Sequence, residues 1–168
     1  MGHREHKETA PRTVRIGIVS VSTTRNLEND ESGHWIRQQA VAEGHQVVFH
    51  QVVPDDDTAI TQMIREVIKY HDPQVLLLTG GTGISSRDLT IEAVQPLFTK
   101  ELSAFGPLFA QLSFRQINSA AILSRATAGV VGKTVLFCLP GSLKACKLAC
   151  KELIFPELGH LVQHVLVG

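Results

Sequence analysis

The chain has 168 residues, with 16 basic and 16 acidic side chains and therefore a formal net charge of zero. Hydrophobic residues make up 43% and charged residues 19%, which predicts one soluble globular domain with a sizeable core. The neutral balance argues against broad electrostatic binding to nucleic acid or anionic membranes. No apolar run approaches the roughly 20 residues of a membrane helix, and no hydrophobic leader follows Met1, so we expect a cytoplasmic protein.

Strand and helix patterns alternate along the chain. Residues 1–12 are polar and predict a flexible arm, followed by a single domain over 13–168. The expected strands are 14–22, 45–53, 75–78 and 134–139, and the expected helices are 32–43, 58–70, 91–98, 107–116, 143–154 and 156–168. The polar segment 26–31 is expected to be a surface loop, and 128–133 a turn-rich connection. Such alternation predicts an α/β domain with a mostly parallel sheet.

The segment from Leu76 to Asp88 is the most informative in the sequence. A short, uninterrupted apolar strand leads into Thr79-Gly80-Gly81-Thr82-Gly83, and Asp88 stands before the next helix. Glycines here can take positive φ and let the backbone approach a ligand, which suits a phosphate cradle. The alternative is a tight turn with Asp88 as a helix N-cap. Neither the dinucleotide nor the P-loop glycine pattern is present.

Two other strands end in small polar loops, Ser22-Thr23 and Pro140-Gly141-Ser142. Because right-handed crossovers bring the carboxyl ends of parallel strands to one edge, these loops should meet the glycine loop in one crevice. A phosphorylated ligand is the natural occupant. Ser22 alone is equally consistent with a turn hydroxyl that bonds its own backbone.

Two further features remain open on local evidence. Asp55 follows the second strand in Pro54-Asp55-Asp56-Asp57, where one aspartate must cap the next helix. The odd cysteine count, with Cys138, Cys146 and Cys150, favours reduced and buried thiols over a disulfide or metal site.

Together these motifs resemble the MoaB/MogA family of molybdenum cofactor biosynthesis proteins. The glycine loop, Arg87-Asp88 and Thr90 resemble the family signature, and further blocks follow in the family's order at 53–56, 105–106, 112–114, 122–125 and 139–142. The resemblance covers about residues 14 to 166. It implies a three-layer α/β/α fold and an enzyme, molybdopterin adenylyltransferase, which transfers AMP from ATP to molybdopterin with Mg²⁺ and releases pyrophosphate.

The resemblance also assigns site residues. Asp55 and Asp88 align with two essential acids that hold the metal and serve catalysis. The residues expected to bind molybdopterin and its phosphate are Ser22, Gly80, Gly81, Thr82, Gly83, Ser113, Ser124, Gly141 and Ser142. One departure is Thr23, which stands where many members carry aspartate.

The family implies a homotrimer or hexamer that passes its product to a molybdenum-insertion protein. One alternative is a non-catalytic molybdopterin-binding or scaffold domain of the same fold. Another is a metal-insertion role with molybdate, which the lack of an oxyanion-specific cation cluster disfavours. Whether the pathway carries molybdenum or tungsten stays open.

Overall fold

The computed structural model describes residues 10–167. Its strands are β1 (Arg15–Val21), β2 (Gln46–Val53), β3 (Val75–Thr79), β4 (Lys100–Glu101), β5 (Thr127–Val131) and β6 (Thr134–Leu139). Its α-helices are α1 (Glu31–Ala42), α2 (Asp57–His71), α3 (Thr90–Val94), α4 (Phe105–Ile117), α5 (Leu143–Ala149) and α6 (Leu158–Val167). Short 3-10 or π segments cover Gln95–Leu97, Asn118–Leu123, Cys150–Ile154 and Phe155–Glu157.

All six strands form one sheet in the order β2-β1-β3-β6-β5-β4. The first four strands in this order pair in parallel, whereas β5 and β4 add an antiparallel edge. The order reverses around β1, whose neighbours are β2 and β3. This reversal is a topological switch point, the place where ligands bind in open α/β sheets.

Helices cover both faces of the sheet because successive side chains of the buried strands point to opposite sides. On β3, Leu77 packs into the core under α1, α4, α5 and α6. Its neighbours Leu76 and Leu78 pack into the second core under α2 and α3. The three-layer α/β/α fold with a mostly parallel sheet is therefore confirmed.

Several local predictions are corrected. The expected connection at 128–133 is wrong, since Thr127–Val131 is strand β5, which turns back to β6 through Gly132 at φ 61°. Gly129 lies under the ring of Phe98, where a Cβ atom would collide, so the small residues Ala128 and Gly129 interrupt the β-branched residues of this strand. The expected helix 91–98 is α-helical only to Val94, because Pro96 lacks the N–H that would continue it.

The expected surface loop at 26–31 is also only partly right. Asp30 is 1% exposed and is the N-cap of α1, where its carboxylate accepts a hydrogen bond from the Gly33 N–H. The prediction of reduced, buried cysteines agrees with the structure, since Cys138, Cys146 and Cys150 are all buried free thiols. Residues 1–9 of the expected arm lie outside the described residues. None of the helices within 10–167 has the length and apolar character needed to cross a membrane.

Candidate functional site

A cavity of ≈ 490 Å³ opens at the carboxyl ends of β1, β3 and β6. This volume is typical of a site for a small organic ligand. The ends of β3 and β6 are tied to each other beside it: the Gly80 N–H donates to the Leu139 carbonyl at 2.9 Å, and Thr79 Oγ1 donates to the Pro140 carbonyl at 3.0 Å, while Ser22 brings the loop after β1 to the same cavity. The expected convergence of distant loops is therefore present.

All but one of the site residues predicted from the sequence line the cavity. Those that line it are Ser22, Gly80, Gly81, Thr82, Gly83, Asp88, Ser113, Ser124, Gly141 and Ser142. Ser113 comes from α4 and Ser124 follows the segment Asn118–Leu123, so residues far from the three strand ends also line the cavity. Asp55 is the exception and lies behind the glycine loop.

Two glycines of this loop are required by its shape. Gly80 and Gly81 have φ values of 98° and 66°, which disfavour residues with a Cβ atom. A Cβ on Gly80 would strike the Val21 carbonyl, and one on Gly81 would strike the Thr90 hydroxyl. Thr90 in turn donates from Oγ1 to the Gly80 carbonyl at 2.8 Å. The loop is thus held in one conformation from both ends.

Asp55 packs directly against the glycine loop. Its Oδ1 lies 2.6 Å from the position that a Cβ atom on Gly81 would occupy. This oxygen is buried and is the one buried side-chain nitrogen or oxygen in residues 10–167 that accepts or donates no hydrogen bond. Burial, and then the negative charge of Asp88, raise the pKa of Asp55 above its ordinary value. The helix-cap alternative for Asp55 is wrong, because Asp56 caps α2 by accepting from the Ala59 N–H.

Asp88 closes the other end of the loop. Its Oδ2 accepts hydrogen bonds from the hydroxyl of Ser85 at 2.7 Å and from the Ser85 N–H at 2.9 Å. The Ser85 hydroxyl hydrogen bond is the main cause that lowers the pKa of Asp88, so this carboxylate is ionised at neutral pH. The N-cap alternative for Asp88 is wrong, since α3 begins after Leu89 and has no side-chain cap. The two carboxyl groups beside the glycine loop therefore have pKa values shifted in opposite directions, raised for Asp55 and lowered for Asp88.

Two hydroxyl side chains that line the cavity are buried, and a third is hydrogen-bonded by the backbone. Thr82 and Ser113 are each 4% exposed. Ser22 Oγ accepts from the N–H groups of Thr24 and Arg25, so the turn-hydroxyl reading is correct for Ser22 even though it also lines the cavity.

Arg125 supports the glycine loop from outside. Its Nε donates to the Thr82 carbonyl at 2.9 Å, while its two terminal nitrogens donate to both carboxylate oxygens of Glu92 at 2.7 and 3.1 Å. A bidentate pair of this kind has fixed geometry. Arg125 therefore orients the Thr82 backbone.

Sequence reasoning missed a buried polar network beside the cavity. Asp30, which lines the cavity, accepts from Ser20 Oγ at 2.6 Å and contacts His50 Nε2 at 2.7 Å. Burial raises the pKa of Asp30, but hydrogen bonds from His50, Ser20 and Gly33 outweigh it and lower the pKa overall. Gly33 leaves space for the network, because a Cβ atom there would collide with Asp30 and His50. The Asp-x-x-Gly spacing of Asp30 and Gly33 at the start of α1 was the feature of the sequence that could have indicated this network.

Three more cavity residues were not nominated. Ser32 Oγ donates to the Gly141 carbonyl at 2.9 Å and so joins the start of α1 to the third loop. Arg25 and Lys144 line the cavity and bring positive charge to it. Both cations lie in loop or helix-start segments whose sequence does not distinguish them from solvated surface residues.

Comparison with known proteins identifies relatives along nearly the whole chain. Residues 17–160 match a family model described as a probable molybdopterin binding domain. The chain is 44% identical over 166 residues to molybdenum cofactor biosynthesis protein B of Bacillus subtilis, covering 98% of each chain. It is also 44% identical over 144 residues to the protein of that name from Escherichia coli, covering 86% of this chain and 85% of that one.

Solved structures similar to this chain carry related names. A crystal structure of a molybdenum cofactor biosynthesis protein B superposes with a TM-score of 0.91 at 42% identity and covers 95% of this chain and 100% of that one. The tungsten cofactor synthesizing protein MoaB from Pyrococcus furiosus superposes with a TM-score of 0.83 at 38% identity, covering 93% and 99%. The matched domain, the whole-chain identity and the shared fold agree, and the chain belongs to the MoaB/MogA family.

Proposed function

We propose that this protein acts in molybdenum cofactor biosynthesis as a molybdopterin adenylyltransferase. In the proposed reaction an oxygen of the terminal phosphate of molybdopterin attacks the α-phosphorus of ATP. The bond from that phosphorus to the bridging oxygen breaks, and pyrophosphate leaves. The observation that carries the proposal is the pair Asp55 and Asp88, which flank one glycine loop at a cavity of suitable size.

The cavity offers the ligands that a phosphorylated pterin needs. Backbone N–H groups of a glycine loop and hydroxyls such as those of Thr82, Ser113 and Ser124 bind phosphate and ring heteroatoms without adding charge. Arg25 and Lys144 also line the cavity and supply positive charge to it. Relatives named for molybdenum cofactor biosynthesis make molybdopterin the ligand we assign here.

The aspartate pair fits Mg²⁺ by its donor chemistry. Mg²⁺ binds one or two carboxylates together with substrate phosphates and water rather than a complete protein cage. In agreement, residues 10–167 hold no group of three or more histidine, cysteine, aspartate or glutamate side chains arranged for a metal. The unpaired Oδ1 of Asp55 and the charge repulsion with Asp88 are both relieved by a bound cation. When bound, Mg²⁺ would neutralise the phosphate charge that builds up during transfer.

The protein's own residues then have separate tasks. Asp55 and Asp88 hold the cation at the loop, and Arg125 keeps the Thr82 backbone oriented through its hydrogen bond. The rigid glycine loop positions the acceptor phosphate, which reduces the entropy lost when the two anions approach. We assign the reaction to the cytoplasm and expect a trimer or hexamer that passes the product to a molybdenum-insertion protein.

Two variants test the assignment by separating binding from chemistry. Asp88→Asn keeps the side-chain size and one acceptor for Ser85 but removes the charge, so adenylylation should fall by about 100-fold or more while molybdopterin binding is largely kept. Thr82→Ala should do the reverse and weaken binding more than turnover. Both need thermal melts as folding controls. Asp88→Asn turnover at the parent rate would remove the catalytic role and favour a binding module of the same fold.

A further inference from the structure

Helix α6 carries a pair of histidines that the proposed function does not use. His160 and His164 are one helical turn apart, and their Nε2 atoms lie 2.9 Å from each other. Their ring centroids are 4.6 Å apart with an interplanar angle of 60°. Two histidines at positions i and i+4 on one helix face are a recurring metal-binding arrangement. Neither of them lines the cavity at the carboxyl edge of the sheet.

A carboxylate orients the first of these rings. Glu157 Oε2 lies 3.0 Å from His160 Nδ1, and the His160 side chain is only 16% exposed. Since an ionised carboxylate can only accept, Nδ1 carries the proton and neutral His160 presents an unprotonated Nε2. A histidine that donates its second ring N–H to a carboxylate is the usual partner arrangement of a metal ligand, because it fixes the tautomer and strengthens the ligand.

We propose that His160 and His164 form a second metal site, which binds one Cu²⁺ or Ni²⁺ ion per chain through both Nε2 atoms. Glu157 acts as a positioning residue through its contact with His160 Nδ1. Only two protein ligands are needed, which is consistent with the lack of any larger cluster of metal-binding side chains in the described part of the chain.

The spacing of the two nitrogens is compatible with Cu²⁺ or Ni²⁺. Nitrogens 2.9 Å apart, each about 2.05 Å from a shared ion, subtend an angle of about 90° at that ion. Such an angle suits adjacent positions of a square-planar or octahedral ion, as Cu²⁺ and Ni²⁺ prefer. A tetrahedral Zn²⁺ would need the nitrogens about 3.3 Å apart. Mg²⁺ prefers oxygen ligands and is not expected here.

The test uses the full chain with His3→Ala and His6→Ala as a common background, because histidines near an amino terminus also bind these ions. Ni²⁺ binding is measured by calorimetry, and Cu²⁺ binding by electron paramagnetic resonance, which reports the number of coordinated nitrogens. The background protein should bind one ion per chain, with two nitrogen ligands. His164→Ala, at an exposed position, should weaken binding at least tenfold, and Glu157→Gln should weaken it about 10–100-fold.

His71→Ala provides a matched control, because His71 is an exposed histidine on a different helix. This variant should bind as the background protein does. Melting curves without metal should coincide for the background, His164→Ala and His71→Ala proteins. The proposal is overturned if the background protein binds no ion, or if His164→Ala binds Ni²⁺ as tightly as the background. Either result would mean that the two rings form a hydrogen bond but not a metal site.

Discussion

Replacing Asp55 by asparagine should make the protein more stable and less active at the same time. The buried Oδ1 of Asp55 has no hydrogen-bond partner, and its carboxylate faces the charge of Asp88. Asparagine has almost the same shape but no charge. It therefore removes both the desolvation cost of the ion and the repulsion, while it also removes the ligand that we assign to Mg²⁺.

The size of the stability gain follows from the charge on the orphaned oxygen, because an asparagine amide would leave a buried polar atom unpaired there as well. A buried polar atom without a partner costs about 1–3 kcal/mol, and more when it is charged. Only Oδ1 is fully buried, and the residue as a whole is half-buried. We therefore expect the lower end, a gain of about 1 kcal/mol in the free energy of unfolding without metal. Adenylylation should fall by about 100-fold or more, as expected when a charge that stabilises the transition state is removed.

The gain should depend on pH in a defined direction. The pKa of Asp55 is raised by folding, so the folded state holds the proton more tightly than the unfolded chain. Wild-type stability at this site is complete below the unfolded pKa of about 3.9 and is lost as the pH rises through the higher folded pKa. The advantage of Asp55→Asn should therefore be absent in strong acid and fully present at pH 7 and above.

Denaturant unfolding at several pH values, without divalent ions, measures this effect. Asp56→Asn is the matched control, since it makes the same chemical change one residue away and asparagine caps a helix as well as aspartate does. The control should leave both stability and turnover close to wild type. If Asp55→Asn is less stable than wild type at neutral pH, the reasoning from the unpaired carboxylate is refuted.

Two other predictions concern structure and assembly. Gly33→Ala should destabilise the protein by about 3 kcal/mol or more, since the added Cβ collides with the buried Asp30 and His50 and breaks their contact. Urea unfolding measures this loss of stability. An unchanged unfolding midpoint would mean that the network is loosely packed. Light scattering should give the mass of a trimer or hexamer, and a monomer at working concentration would contradict the expected assembly.

The parts of the fold that sequence predicted well share a physical origin. Uninterrupted apolar runs such as 75–78 are buried on both faces, and their burial leaves few alternatives to a central strand. Gly80 and Gly81 were singled out because a strand that runs into glycines needs a special backbone, and both have positive φ. The convergence of the three loops followed from crossover handedness alone.

What sequence could not predict depends on contacts between distant segments. Asp30 looks like a solvated acid within a polar stretch, and only the fold brings His50 from the neighbouring strand onto it. Strand β5 combines β-branched residues with Ala128 and Gly129, and its pairing with β6 fixes it as a strand. Local sequence also could not tell which aspartate caps α2, since Asp55, Asp56 and Asp57 offer the same chemistry.

The most direct test of the proposed function is the reaction itself. Purified protein is incubated with molybdopterin, ATP and Mg²⁺, and the products are analysed by mass spectrometry together with a pyrophosphate assay. We predict adenylylated molybdopterin and pyrophosphate in equal amounts, with neither formed when Mg²⁺ is chelated. Molybdopterin binding without either product would contradict the proposal and identify the protein as a non-catalytic binding module.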